Sequence, residues 1–541
     1  MPAHKDWQLV VIGDKNIYYV LLYNIDLKRL YDIILTIKVH IIINDKVQFV
    51  DKCSFIVKKE KWRGIKMKNE NWENKKKVMY SLKAPKKLAI RPSKIQDRQQ
   101  YRSEFMRDRD RILYCKAFRR LSGKTQVYLS GSDDHKRTRL THTLEVAQIA
   151  KTIALELRLD VDLTEGMALG HDIGHTPFGH AGERMLHQIM TPTKKKDVID
   201  SPYENISNGE YKKFYGFKHN LQSVCVALSQ EKDYGDTGLD LTNFTLYGMA
   251  AHSSKEYKND PIEKSLSYYA QYDKYMKLPN SDNFAWSFEA YVVKEADEIA
   301  QRHHDIEDAI RGKLLSKEEV VKQITNCFRA FFRSSERKIL REIKNTYDEE
   351  TSITLLSRLL VNLFVTRIIR CSIYNMNKFI VDNNLNEKKF SYFLLNNSQP
   401  DVEQIISYDY VEDETLFKNA MKEFENSIST RVLSSYDIQK SDARGQYIIR
   451  KIFAALYKTP SQLPDHCIIE FYLNTKKLEF NDIQEIIRNN GIGELRSRFY
   501  NLVKGDKLNI EDKFTLMRTI CNQIAGMTDS YATKIYNSLY N

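Results

Sequence analysis

Thirteen consecutive residues, His171-Asp172-Ile173-Gly174-His175-Thr176-Pro177-Phe178-Gly179-His180-Ala181-Gly182-Glu183, contain three histidines and two carboxylates. The adjacent His171-Asp172 pair offers one imidazole nitrogen and one carboxylate oxygen from neighbouring backbone positions. That mixed set suits a borderline or hard divalent ion such as Mn, Fe, Mg, Ni or Zn. The run is too short to complete a coordination shell. Any fold this chain adopts must therefore bring further ligands to it from distant segments.

The hydrophobic pattern says which elements can do so. From Ser103 onward it is helical. Ser103–Leu121 alternates charged and apolar residues at three-to-four spacing. Thr141 can cap a helix from about His142 to Leu157, with Val146, Ile149, Ile153 and Leu157 on one face. A short helix over Asp162–Leu169 delivers His171-Asp172 near its end. Pro177 and the flanking glycines force a turn before a helix from about Gly179 to Met190. Residues 191–216 are polar and read as a loop. His219–Ser229, Asn243–His252, Phe284–Arg311, Glu318–Tyr347, Ser352–Ile380, Glu414–Phe424, Tyr436–Tyr457 and Phe514–Tyr540 are further predicted helices. The expected fold class is mostly α: a helical bundle with an additional C-terminal helical lobe and a short strand-rich N-terminal segment.

That N-terminal segment spans 1–66. Gln8–Ile12 and Ile17–Tyr23 flank the turn residues Gly13-Asp14-Lys15-Asn16, and Val39–Ile43 and Val47–Val50 flank Asn44-Asp45-Lys46. Two readings stand: a small β appendage, or a leader that precedes a start at Met67. Residues 67–100 form a basic arm. The expected helical core spans 101–345, with 346–541 completing it.

The formal net charge is +13, which favours polyanionic partners such as nucleotides or single-stranded nucleic acid. Seven cysteines are scattered with no C-x-x-C pair, as expected of reduced thiols in a cytoplasmic protein. The apolar run Ile33–Ile43 is interrupted by Lys38 and His40 and is too short to span a bilayer, so no membrane partner is expected. No G-x-x-x-x-G-K-[ST] phosphate loop occurs.

Candidate partners for His171 and Asp172 are His142, in Arg139-Leu140-Thr141-His142, and Asp297, in Ala296-Asp297-Glu298-Ile299. Two imidazoles and two carboxylates leave coordination positions open for water and substrate, as a catalytic site requires. Glu183 follows His180 by three residues, so on a helix both share one face. A carboxylate beside an imidazole favours the imidazolium, which can act as a general acid. His219 is a further candidate polar group.

These residues sit in a longer series: Phe118-Arg119-Arg120-Leu121, Lys124-Thr125-Gln126-Val127, Thr138-Arg139-Leu140-Thr141-His142, Glu145-Val146-Ala147-Gln148-Ile149-Ala150, Gly170 through Glu183, Ala296-Asp297-Glu298-Ile299-Ala300, His304-Asp305-Ile306-Glu307-Asp308 and Ile524-Ala525-Gly526-Met527-Thr528-Asp529. The series resembles the HD-domain deoxynucleoside triphosphate triphosphohydrolases, the dGTPase-like family. The resemblance implies a divalent metal ion (Mn, Mg, Fe or related) held by His142, His171, Asp172 and Asp297. It implies that His180, supported by Glu183, serves the leaving group, with His175 and His219 lining the phosphate pocket. Arg139 would contact phosphate. Asp305 matches the position that meets the sugar 3′-hydroxyl in relatives. Gln126 and Gln301 complete the implied substrate-binding set, although many relatives carry Tyr where this chain has Gln301.

The activity implied is hydrolysis of dGTP, and of other dNTPs, to deoxynucleoside and inorganic triphosphate. A homo-oligomer, hexameric or dimer-based, is implied as well. The competing readings are another HD phosphohydrolase acting on nucleotide monophosphates or signalling nucleotides, and a regulator that binds nucleotide or single-stranded DNA.

Overall fold

The computed structural model describes residues 80–93, 101–126, 137–191, 212–252, 266–413 and 415–540, and the backbone of four short strands near the N-terminus. The contacts divide the chain into two units, Met1–Trp72 and Glu73–Asn541. The expectation for residues 1–66 falls mostly outside the described residues. What is described there is backbone pairing alone: β1 (Leu9–Asp14) runs antiparallel to β2 (Ile17–Leu22), and β3 (His40–Ile43) to β4 (Lys46–Phe49).

The second unit is helical. α1 (Glu104–Tyr114) and α2 (Lys116–Arg120) lead to α3 (Arg139–Glu156), α4 (Val161–Gly170) and α5 (Gly179–Ile189). α6 (His219–Cys225) continues into a π-helical turn at Val226–Gln230, and α7 (Asn243–Ala251) follows. The long α8 (Phe288–Arg311) packs on α3 and α7. Valine, isoleucine and methionine side chains seal these contacts: Val146, Ile149, Ile153, Met167, Val292 and Ile299 are all buried.

α3 begins three residues before the predicted start. Thr141 is not the cap. Thr138 occupies that position, and the two threonines bond reciprocally, each side chain to the other's backbone N–H. The earlier start places Arg139 and His142 one turn apart on the helix. An isolated bridge between Thr125 and Thr138 pins the segment entering α3.

The predicted helix over Glu318–Tyr347 is two helices, α9 (Lys317–Phe328) and α10 (Ser334–Asn345). The chain turns extended at Phe332, and the Glu336 carboxylate accepts the Arg333 N–H at 2.8 Å to cap the new start. α11 (Glu349–Asp382) is long and apolar enough to cross a membrane by length and composition, yet half of its most apolar window is buried, and it packs along α8. α12 (Glu387–Asn396), α13 (Val402–Ile405), α14 (Leu416–Leu433) and α15 (Tyr436–Lys458) follow. The sequence reading missed α12, α13, α16 (Asp465–Asn474), α17 (Phe480–Asn490) and α18 (Ile492–Lys504).

The predicted final helix is also divided, at Gly526, into α19 (Ile510–Ala525) and α20 (Asp529–Tyr540). The C-terminal helices pack against the site-bearing part rather than apart from it. α15 contacts α5, and one apolar cluster joins Phe178, Met185 and Leu186 to Ile449, Phe453, Ile520 and Ile524. The six described cysteines are free thiols.

Candidate functional site

Five helices deliver the site. α3 carries Arg139 and His142 on one turn, α4 ends at His171 as its C-cap, and the following turn holds Asp172 and His175. α5 carries His180 and Glu183, α6 opens at His219, and α8 brings Asp297. The turn 171–178 is fixed at both ends. The Ser223 hydroxyl donates to the His171 carbonyl at 2.6 Å and accepts the Gly174 N–H at 2.9 Å. Phe178 adopts a left-handed conformation (φ 58°), and Asp529 of α20 accepts its N–H at 3.0 Å. The buried Lys124 ammonium donates to the carbonyls of His175 and Ala525, tying the same turn to α19.

The side chains fall into two connected clusters. In the first, ligand atoms of His142, His171 and Asp172 lie within 4.8 Å of one another. Asp297 joins them: its Oδ1 is 2.9 Å from His142 Nε2 and 3.8 Å from His171 Nε2. His171 Nδ1–H donates to the Ala168 carbonyl at 2.6 Å, which leaves its Nε2 as a lone pair. That Nε2 is buried without a hydrogen-bond partner and lies 3.8 Å from Asp172 Oδ1. Donor atoms at metal–ligand distances of about 2.0–2.2 Å sit about 3.0–3.5 Å apart around a coordinated ion, close to the spacings here. A buried, unpartnered imidazole lone pair between two carboxylates therefore fits a divalent cation.

Electrostatics support the same set. Burial alone would raise the Asp172 carboxyl. Arg139, whose Nη1 lies 2.6 Å from Asp172 Oδ2, followed by His171 and His175, outweighs it and holds Asp172 well below the carboxylate range. Burial opposes ionisation at Asp297 too, and the His142 hydrogen bond and His171 overcome it, lowering that carboxyl. Both carboxylates are thus anionic at neutral pH.

The second cluster contains His175, His180, Glu183 and His219, again with ligand atoms within 4.8 Å of one another. His180 Nδ1–H donates to Glu183 Oε2 at 3.2 Å, and His219 Nδ1–H donates to the same oxygen at 2.9 Å. The His180 side chain is 52% exposed whereas that of Glu183 is 10% exposed, so a buried carboxylate backs an accessible imidazole. Burial would raise Glu183, but His219 and His180 hold it well below its ordinary value. His175 stacks on His219 with ring centroids 4.6 Å apart. Burial, then the Arg139 charge, keeps His175 neutral.

His252, the C-cap of α7, links the clusters and was not found by sequence reasoning. Its ring lies 5.0 Å from that of His171 and 5.3 Å from that of His219. His252 Nδ1–H donates to the Met249 carbonyl at 2.8 Å, and its Nε2 faces His219 Nε2 at 3.2 Å. Two lone pairs cannot face each other at that distance, so the pair shares a proton. Burial, then His171 and His219, pushes His252 down to about 3.

The remaining predicted residues stand apart. Asp297, Gln301 and Asp305 lie at intervals of four on α8 and share a stripe of that helix. Gln301 is exposed. Burial, then Asp308, pushes Asp305 up to about 7, so it is partly protonated at neutral pH. Gln126 has a buried, unpartnered side-chain oxygen. Among the described residues no hydrogen bond or ion pair joins Gln126, Gln301 or Asp305 to the histidine clusters.

Comparisons with known proteins fit this geometry. The HD domain matches residues 139–214, which include His142, His171, Asp172, His175, His180 and Glu183, and a phosphohydrolase-associated domain matches residues 495–538, which include Asp529. The chain is 41% identical over 221 residues to a deoxyguanosinetriphosphate triphosphohydrolase-like protein of Roseobacter denitrificans, covering 41% of this chain and 50% of the relative. It is 43% identical over 225 residues to one of Rhizobium meliloti, covering 40% and 49%. The chain thus spans about half the length of these two relatives. A like-named protein of Rickettsia felis is 30% identical over 444 residues, covering 81% of this chain and 92% of the relative. An alignment that covers most of both chains at this identity shows the family, and the chain belongs to the deoxyguanosinetriphosphate triphosphohydrolase-like family of HD-domain proteins.

Proposed function

We propose that this chain hydrolyses deoxynucleoside triphosphates, dGTP first, to a deoxynucleoside and inorganic triphosphate. One observation carries the reading: an accessible imidazole, His180, is backed by a buried carboxylate and borders a His142-His171-Asp172-Asp297 set suited to a divalent ion. Nucleotide hydrolysis needs both parts, a cation site for phosphate and a proton donor for the leaving oxygen. The names of the relatives supply the substrate class.

His142, His171, Asp172 and Asp297 would hold the ion, with Mn, Mg or Fe suited to the N/O donor set. When bound, such an ion supplies Lewis-acid polarisation of a phosphoryl oxygen. The protein's own groups do the rest. Arg139 orients Asp172 and adds a positive charge where α-phosphate oxygens gather. A water oxygen forms a bond to the α-phosphorus and releases a proton to solvent, and the bond from phosphorus to the 5′-oxygen breaks. His180 Nε2 gives its proton to the departing oxygen, with Glu183 holding the ring through Nδ1. A partly protonated Asp305 can hydrogen-bond a sugar hydroxyl two helical turns from Asp297. Product identification tests the reading. Incubation with each dNTP and Mn or Mg should yield deoxynucleoside and triphosphate; pyrophosphate or orthophosphate would overturn it.

The +13 charge favours one addition, binding of single-stranded DNA or an effector nucleotide by a cytoplasmic homo-oligomer. A labelled oligonucleotide should bind in a salt-sensitive way, and absence of binding at low salt would remove this addition.

A further inference from the structure

Beyond the four candidate ligands, the structure holds a chain of hydrogen bonds that begins on the rim and ends inside the site. Glu145 lies one turn after His142 on α3, and its side chain is 40% exposed. Its Oε2 accepts from His304 Nε2–H of α8 at 2.5 Å. The His304 ring is fully buried, and its other nitrogen, Nδ1, lies 3.4 Å from His142 Nδ1. The carboxylate is acceptor-only, so His304 must carry its proton on Nε2 and offer a lone pair at Nδ1. His142 must then donate from Nδ1, which leaves its Nε2 as a lone pair. In a neutral His142 that places a lone pair at Nε2, 2.9 Å from Asp297 Oδ1, where a divalent ion can take the place of the proton in the hydrogen bond between them.

From this geometry we propose that Glu145 and His304 are positioning residues that fix the tautomer of His142 and so determine whether Nε2 is available to a divalent ion. The proposal rests on the reading that His142 is a metal ligand. His171 obtains the same result in one step, from the Ala168 carbonyl. At His142 the acceptor is a carboxylate two hydrogen bonds away, and a carboxylate so placed also raises ligand basicity. Nothing else among the described contacts of His142 Nδ1 selects its tautomer.

One other arrangement of these groups exists. Ligand atoms of Glu145, His303 and His304 lie within 4.8 Å of one another and have the composition of a second cation site. Occupation there would take the His304 Nε2 lone pair and move its proton to Nδ1. His142 would then accept at Nδ1 and carry its proton on Nε2, facing Asp297, where it could not bind an ion. The two arrangements exclude each other, and the number of ions bound separates them.

The test is calorimetric titration of the full chain, stripped of metal, with Mn²⁺ alone, alongside thermal unfolding of the metal-free protein. Wild type should bind one Mn²⁺ per chain, and His171→Ala should abolish it. Glu145→Gln and His304→Gln should each weaken Mn²⁺ binding by about 10- to 100-fold with little change in metal-free unfolding temperature. The double variant should be no weaker than the weaker single one, since both act along one path. Two Mn²⁺ per chain, additive losses, or wild-type affinity in the variants would overturn the relay while leaving the four-ligand site intact. No Mn²⁺ binding by wild type would overturn both the relay and that site. If Glu145→Gln does not fold, His304→Gln alone decides, by affinity against metal-free stability.

Discussion

Gly174→Ala tests how tightly the turn that carries His171 and Asp172 is coupled to the helix that carries His219. A Cβ at Gly174 would lie 2.1 Å from Ser223 N, 2.4 Å from the Gln222 carbonyl carbon and 2.7 Å from the His219 carbonyl oxygen. All three are backbone atoms of α6, so no side chain can swing away. Ordinary contact begins at 3.4 Å, and the turn and α6 must part by about 1.3 Å. That displacement breaks the Gly174–Ser223 hydrogen bond and separates His171 and Asp172 from His219. Overpacking of this kind costs about 1–3 kcal/mol. Misplacing reacting groups by about 1 Å costs about 10²-fold in turnover. Urea unfolding and steady-state dNTP hydrolysis measure the two effects. Gly493→Ala, where a Cβ meets nothing within 4 Å in a helix, is the control and should lower neither. Wild-type stability and turnover in Gly174→Ala would refute the coupling.

Two further predictions concern the imidazole–carboxylate cluster. His180→Gln should lower kcat by about 10²- to 10⁴-fold while leaving Mn²⁺ affinity unchanged, because His180 is not among the ion's candidate ligands; a matching loss of affinity would contradict that division. The Glu183 carboxyl is held well below its ordinary value in the folded protein, so the stability it contributes is present above the unfolded-chain value of 4.5 and is lost as pH falls below it. Denaturant unfolding should therefore show the stability gap between wild type and Glu183→Gln narrowing from about pH 5 downward, and a gap that widens on acidification would show the sign to be wrong.

The local parts of the site were legible in the sequence. His171, Asp172, His175, His180 and Glu183 sit within one short run, and a turn followed by a helix presents them together whatever the rest of the fold does. His142 and Asp297 were reachable because each stands in a well-patterned amphipathic helix with an unusual polar residue. His252, Glu145 and His304 were not. His252 looks like an ordinary helix end, and it becomes meaningful only when α7 brings it within 3.2 Å of His219, which is 33 residues away in the chain. The Glu145–His304 pair joins residues 159 apart, a distance over which no spacing rule operates. Helix interiors followed the apolar period, whereas the breaks at Phe332 and Gly526 did not interrupt it. They depend on caps formed by Glu336 and on the seating of Asp529 against Phe178 and Thr125. Those contacts also explain why the C-terminal helices belong with the site: they hold the turn that carries His171, Asp172 and His175.

The most direct measurement of the central claim is the position of solvent oxygen in the products. With dGTP in ¹⁸O-labelled water and saturating Mn²⁺, attack at the α-phosphorus and protonation of the 5′-oxygen by His180 place one ¹⁸O in the released triphosphate and none in deoxyguanosine. Label in the deoxyguanosine 5′-hydroxyl, or recovery of pyrophosphate with labelled nucleoside monophosphate, would contradict the account.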